Sequence, residues 1–195
     1  KMEFNDSKTK ECIARSFAGL CQDGARYQFI AKSAADEGFF YISNIMKKIA
    51  SLKMAHAGVM YKIMLEESQK RRENVNIEAG YPFENQLLKT SLKDSADIEK
   101  YQSKNVYPHF AKIAADEGFK KISDIFLRIS KVGEKTSDIL NNLAEKFDSK
   151  SLYKSEKDLL WECGNCGYFE KGKTAWSNCP LCSYGQGYVK VPKKD

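Results

Sequence analysis

Four cysteines near the C-terminus carry the plainest chemistry in this sequence. Cys163 and Cys166 form one C-x2-C pair within Trp161-Glu-Cys-Gly-Asn-Cys-Gly-Tyr168, and Cys179 and Cys182 form a second within Cys-Pro-Leu-Cys. Two such pairs separated by a short Gly- and aromatic-rich segment make a four-thiolate metal site. Each pair reaches one ion from a tight turn, and the two turns face each other to complete a tetrahedron. Gly164, Gly167 and Pro180 suit those turns, where the backbone must approach closely and adopt positive φ. The competing reading is a pair of disulfide-linked knuckles in a secreted domain.

Length and composition bound the rest. With 195 residues the chain can hold one sizeable core and a small appended module. Hydrophobic residues at 42% and charged residues at 30% describe a globular chain and exclude a disordered one. No apolar run is long enough to span a bilayer, and no signal-peptide pattern opens the sequence, so a cytoplasmic protein without membrane contact is expected. Six cysteines fit that compartment if four bind metal and Cys12 and Cys21 are reduced thiols on a helix. The net charge of +6 is spread along the chain, with Lys70-Arg71-Arg72 as the one dense basic cluster. It follows a helical segment, whose C-terminus favours cations anyway, so nucleic-acid binding is not expected.

The elements upstream of the cysteines read as four long helices. Residues from about Asp6 to Glu37 carry Ile13, Phe17, Leu20, Gly24, Tyr27, Ala31 and Ala34 at alternating steps of four and three, and Gly38 stops that helix. A second, from about Phe39 to Glu67, carries Ile42, Ile45, Ile49, Leu52, His56, Val59 and Ile63. Arg72 to Lys89 loses the periodicity, a long connection that lets the third helix start at the end where the second began. The third spans about Ser91 to Glu117 with a light interruption at Pro108, and the fourth about Phe119 to Phe147. An internal repeat ties them together. Ala31 to Phe39 matches Ala111 to Phe119 at eight of nine positions with an offset of 80. Two hairpins related by pseudo-twofold symmetry and joined by one long crossover describe a ferritin-like four-helix bundle. The expected organisation is therefore mainly α: a bundle over residues 1–147, a linker over 148–158, and a small metal-bound β/loop domain over 159–195.

At this level the sequence resembles the rubrerythrin family over essentially its whole length. The resemblance rests on Phe17-Ala18-Gly19, Arg26-Tyr27, Asp36-Glu37-Gly38-Phe39, His56-Ala57 and Tyr107-Pro108-His-Phe110-Ala111, together with the cysteine motifs. It implies a ferritin-like bundle with a di-iron carboxylate centre, followed by a rubredoxin-like domain whose iron is held by Cys163, Cys166, Cys179 and Cys182. It implies peroxide reduction as the usual role, with electrons passing from the rubredoxin iron to the di-iron site across a homodimer. The resemblance favours iron over zinc at the cysteines, with zinc as a possible substitute.

The departures from the family pattern fall on the di-iron ligands. Carried over position by position, those ligands fall on Leu20, Lys53, His56, Glu99, Gln102, Gly133 and Thr136. Only His56 and Glu99 keep a ligating side chain, and Glu134 is one residue out of register. Lys53 places a positive charge where an ion would sit, so it should pair with Glu99 or turn outward. A di-iron centre is not expected. His56 reads as a core histidine bonded to Gln102, Glu99 or Thr136, Cys21 as a small buried hydrophobe, and Tyr27 and Tyr107 as packing residues with hydrogen-bonded tips. Three functions compete. The first is one-electron transfer through an Fe(Cys)4 site on a bundle that serves dimerisation and docking, with another redox protein as donor or acceptor. The second is a working NAD(P)H-linked peroxidase that protects against oxidative stress, and the third is a zinc-loaded structural protein.

Overall fold

In the computed structural model, residues 2–70, 72–83 and 87–192 are described; Arg71 of the basic cluster and the last three residues of the terminal domain lie outside them. Helices α1 (Lys8–Asp36) and α2 (Phe40–Ser68) form one hairpin. The third helix runs as α3 (Leu88–Tyr101), a π-helical turn (Gln102–Val106) and α4 (Tyr107–Asp116), and α5 (Lys120–Asp148) returns against it. No helix of the described residues is long and apolar enough to cross a membrane.

The repeated nonapeptide encodes the same helix stop twice. Gly38 (φ 86°) and Gly118 (φ 90°) adopt the left-handed conformation after α1 and α4. The Phe39 N–H donates to the Ala34 carbonyl at 2.8 Å and the Gly38 N–H to Ala35 at 2.9 Å; Phe119 and Gly118 repeat the pattern on Ala114 and Ala115. These are Schellman motifs, which turn the chain sharply enough to start an antiparallel helix at once.

The two halves do not keep one offset throughout. Beyond Val106 the offset of 80 holds, so Tyr27 and Tyr107 are both buried. Before Gln102 the buried positions align at 79 instead: Ile13 with Leu92, Ser16 with Ser95, Leu20 with Glu99. The π turn supplies the extra residue, its Tyr107 N–H bonding five residues back to Gln102. Pro108 is the reason. Without an N–H it leaves a carbonyl in the preceding turn unpaired, and widening the helix redistributes the strain. Side chains hold the widened turn: Ser103 Oγ donates to the Lys100 carbonyl at 3.0 Å, and Ser130 Oγ on α5 donates to the Ser103 carbonyl at 2.7 Å. What reads in sequence as a light interruption is a register shift.

Two apolar clusters fill the bundle, one per end. Leu20, Ala57, Met60, Phe110 and Phe126 pack at the end holding the Gly118 turn, and Ile30, Met46, Leu92 and Leu140 at the end holding Gly38. Phe17 and Val59, expected in the core stripe, are instead on the surface, at 37% and 40% exposure. The inward face of α2 runs through Met46, Ala50, Lys53, Ala57 and Met60. The crossover folds back on α1, where Gln22 Nε2 donates to the Pro82 carbonyl at 3.0 Å and the Tyr81 hydroxyl to the Arg15 carbonyl at 3.3 Å.

The segment expected as a linker is in part a strand: β1 (Lys154–Glu162) pairs antiparallel with β2 (Phe169–Thr174). Trp161 is 1% exposed and its Nε1 donates to the Gly172 carbonyl at 2.8 Å, centring a small core with Ala175 and Val189. This unit sits on the Gly38 turn. Tyr188 stacks on Phe40 with ring centroids 4.4 Å apart, and Gly187 lies so close that a Cβ there would overlap the Gly38 carbonyl.

Glu117, at the other turn, caps a different helix: its carboxylate accepts the Lys8 and Thr9 N–H groups at 3.0 and 2.8 Å. Its repeat partner Glu37 is exposed and, among the described residues, its side chain reaches only Ser33 Oγ, at 3.4 Å. Loss of an N-terminal cap costs about 1–2 kcal/mol. Glu117→Ala is therefore expected to lower stability in urea denaturation by that amount, and Glu37→Ala by less than about 0.5 kcal/mol.

Candidate metal centre

The terminal unit presents its two cysteine pairs on two matching turns. Cys163 and Cys179 each open a knuckle in which the residue four on returns an N–H to the cysteine carbonyl, Gly167 and Ser183 both at 2.9 Å. The cysteine N–H groups bond the Tyr168 and Tyr184 carbonyls at 2.7 and 2.8 Å. Gly167 (φ 77°) meets the expected positive φ, and Ser183 (φ 62°) takes the equivalent place in the second knuckle without a glycine. Gly164 is needed for closeness, because a Cβ there would come within 2.7 Å of the Tyr188 carbonyl oxygen.

The four sulfurs lie within 4.8 Å of one another. Cys163 Sγ to Cys182 Sγ is 3.8 Å and Cys166 Sγ to Cys179 Sγ is 3.6 Å. A tetrahedral ion with metal–sulfur bonds of about 2.3 Å needs sulfur–sulfur edges of about 3.8 Å, so the site fits one ion of that kind. The Tyr168 and Tyr184 N–H groups point at the Cys166 and Cys182 sulfurs, and the Asn165 amide lies 3.6 Å from Cys182 Sγ. Such donors stabilise negative charge on thiolates. No other group of three or more His, Cys, Asp or Glu among the described residues brings ligand atoms this close.

The positions carried over from the di-iron pattern converge between the two apolar clusters, and they meet as an ion network. The Lys53 ammonium bonds both oxygens of Glu99, at 2.6 and 2.8 Å. It lies 3.4 Å from Gln102 Oε1 and 3.7 Å from Asp23 Oδ2. Asp23 accepts from Arg26 Nη2 at 2.5 Å and from Gln102 Nε2 at 2.9 Å, while the Tyr27 hydroxyl donates to Glu99 Oε1 at 2.6 Å. Glu99 is 0% exposed, Asp23 1%, Lys53 4% and Arg26 9%. Two cations and two anions balance, as a low-dielectric interior requires. Of the two outcomes expected for Lys53, pairing with Glu99 or turning outward, the first is present.

Asp23 and Arg26 were not among the expected site residues. Their signal is in the sequence: Asp23 lies three residues after Leu20 on the inward face, and Arg26 follows by three more, an ion-pair spacing on a helix. At the offset of 79 Asp23 is the counterpart of Gln102, and the two are bonded across the bundle. Leu20 is fully buried in the apolar cluster below. Gly133 gives the third helix room, since a Cβ there would meet Ser103 Cβ at 3.2 Å. Glu134 faces solvent and pairs with Lys104 at 2.6 Å. The hydrogen bond expected for His56 is not formed. Glu99 and Gln102 are engaged elsewhere, Thr136 Oγ1 donates back to the Val132 carbonyl at 2.9 Å, and His56 Nδ1 is buried with no partner among the described residues. Burial, then the nearby Lys53 charge, lowers the His56 pKa from its ordinary value. Burial first, then Glu99 and Asp23, raises that of Tyr27 well above the usual phenol range, so its hydroxyl stays a donor. A pair of ferrous ions would need several inward carboxylates. This donor set offers Glu99 and Asp23, both already bound to cations, so it does not fit.

A model of the rubrerythrin family matches residues 11–149. Rubrerythrin of Clostridium perfringens (strain 13 / Type A) is 35% identical over 189 residues, spanning 96% of both chains. Rubrerythrin-1 of Clostridium acetobutylicum is 32% identical over 95% of this chain and 94% of its own. Among solved structures, nigerythrin in a mixed-valence state superposes with a TM-score of 0.62 at 23% identity, covering 98% of this chain and 94% of that one, a likeness of fold.

Breaking a buried ion pair from one side costs about 3–5 kcal/mol, because the remaining charge is stranded. Lys53→Met should lose stability on that scale in chemical denaturation, and Lys53→Met combined with Glu99→Gln should recover most of it. His56 generates a second expectation. Its folded pKa is depressed, so the unfolded chain binds the extra proton first as pH falls below about 6.5. Stability should drop between that pH and the lower folded pKa, and the drop should shrink in His56→Gln when melting is followed against pH.

Proposed function

The chain belongs to the rubrerythrin family, whose role is non-haem iron redox chemistry, and from that premise we propose that it is a one-electron carrier with a single iron at Cys163, Cys166, Cys179 and Cys182 and no di-iron centre in its bundle. The observation that carries this reading is the Lys53 ammonium bound to both Glu99 oxygens where the family's ligands converge. An iron ion held by four thiolates supplies a one-electron couple. The protein's part is to bind it tetrahedrally, to stabilise the thiolate charge through the Tyr168 and Tyr184 N–H groups, and to leave an edge of the site open. Leu181 and Tyr184 on the second knuckle are 66% and 45% exposed, an apolar approach for another redox protein. The bundle then serves as a mount, in a homodimer whose terminal unit faces the other subunit's bundle. Cys12 and Cys21 are free thiols, consistent with a reducing cytoplasm.

The competing reading is a peroxidase of the family's usual kind, favoured by the 35% identity to a rubrerythrin. Zinc at the four cysteines, in a structural protein, is compatible with the same sulfur spacing.

Anaerobic purification followed by metal analysis separates them. One iron per chain, with a thiolate-to-iron absorption that bleaches on reduction, is the expected outcome. About three irons per chain with peroxide turnover would establish the peroxidase instead, and zinc as the sole native metal would establish the structural role.

A further inference from the structure

A cavity of about 590 Å³ lies between α1, the third helix and the crossover, with Asp23 and Gln102 on its wall. It is roofed by Tyr81 and Pro82, which the bonds to the Arg15 carbonyl and from Gln22 hold over it. Its volume falls in the range of small-molecule sites. What distinguishes it is a set of polar groups with nothing to bind. Arg15 lines the cavity with its guanidinium carbon 5.4 Å over the Phe110 ring. It makes no ion pair among the described residues, and its Nε is buried without a hydrogen-bond partner. Ser16, next in the chain and 4% exposed, also lines the cavity, and its buried Oγ has no partner either. Tyr107, 4% exposed, lines the cavity as well. Burial, then Asp23 and Glu99, pushes its pKa up, so the hydroxyl remains a donor.

The acidic groups on the wall do not answer Arg15. Asp23 is saturated by Arg26, Gln102 and Lys53, and Asp97 is paired with Lys93 at 2.7 Å. A buried donor without an acceptor is costly, and two on adjacent residues that line one cavity call for an acceptor that enters it. The planar guanidinium is shaped for a carboxylate, which it binds through two parallel N–H bonds. Tyr81, Tyr101 and Phe110 supply flat apolar walls for the remainder of such a molecule. We propose that this cavity binds a small carboxylate with a planar apolar body, its carboxylate on Arg15 and Ser16. The site is separate from the four-cysteine centre and does not depend on which metal that centre holds.

The probe is benzoate, with benzamide as its uncharged isostere, titrated calorimetrically into the full-length protein. Saturable benzoate binding is expected, with benzamide at least tenfold weaker. Arg15→Met should abolish the difference between the two probes, and Ser16→Ala should weaken benzoate several-fold while leaving the melting temperature near that of the parent protein. The proposal is overturned if benzoate gives no saturable heat up to about 10 mM, if benzamide binds as well as benzoate, or if Arg15→Met keeps the preference. Since Arg15 is only half-buried, the variant should fold, and its circular dichroism spectrum checks that it does.

Discussion

A charge taken out of water must meet its opposite there, and the middle of this bundle is organised by that demand. Lys53 enters a layer between two apolar clusters, and everything within reach of its ammonium is turned to serve it. Glu99 gives both oxygens, Gln102 turns its carbonyl toward it, and Asp23 stands behind with Arg26 as its own partner. The layer joins α1, α2 and the third helix by directional bonds where plain hydrocarbon would hold them only by shape. Its energetic value against a well-packed apolar layer is modest, since desolvation offsets most of the attraction. What it fixes is register. A helix that slid by one residue would leave a bare charge in the core.

The π turn belongs to the same arrangement. Pro108 forces a local widening, and the extra residue rotates everything upstream of it relative to the matching half of the chain. That rotation brings Glu99 and Gln102 to the level of Lys53. Ser103, Ser130 and Gly133 make it tolerable, two by donating hydroxyl bonds to carbonyls at the widened turn and one by having no side chain where the helices approach. A backbone irregularity and a charge network thus depend on each other.

Much of this was legible without coordinates. The nonapeptide repeat, the long crossover and the paired cysteines lead to the bundle and to the thiolate site, because each is a local signal whose physics is short-ranged: a Schellman turn, a knuckle, an apolar face. Charge balance left Lys53 either to pair with Glu99 or to turn outward, and the structure takes the first course. The parts that escaped are those in which a distant element decides. Asp23 and Arg26 show an ion-pair spacing on the inward face, but nothing local in the sequence says that α2 brings a lysine against them. His56 was expected to bond Gln102, Glu99 or Thr136, but all three are engaged elsewhere. Phe17 and Val59 fit a helical stripe and yet face outward, since a periodic pattern marks a face without saying which of two neighbouring faces is buried. The strand inside the expected linker was hidden because five of its nine residues are charged.

The two Schellman turns carry nearly the same sequence and receive different guests. Gly38 lies under Gly187 of the metal-binding unit, and the Gly118 turn, through Glu117 and Phe119, takes up the first turn of α1 and Phe4. A repeated motif can be redundant, one copy being free to change while the other keeps its task. Here neither copy is spare. Each end of the molecule holds its near-identical motif in place for its own reason, through two unrelated attachments.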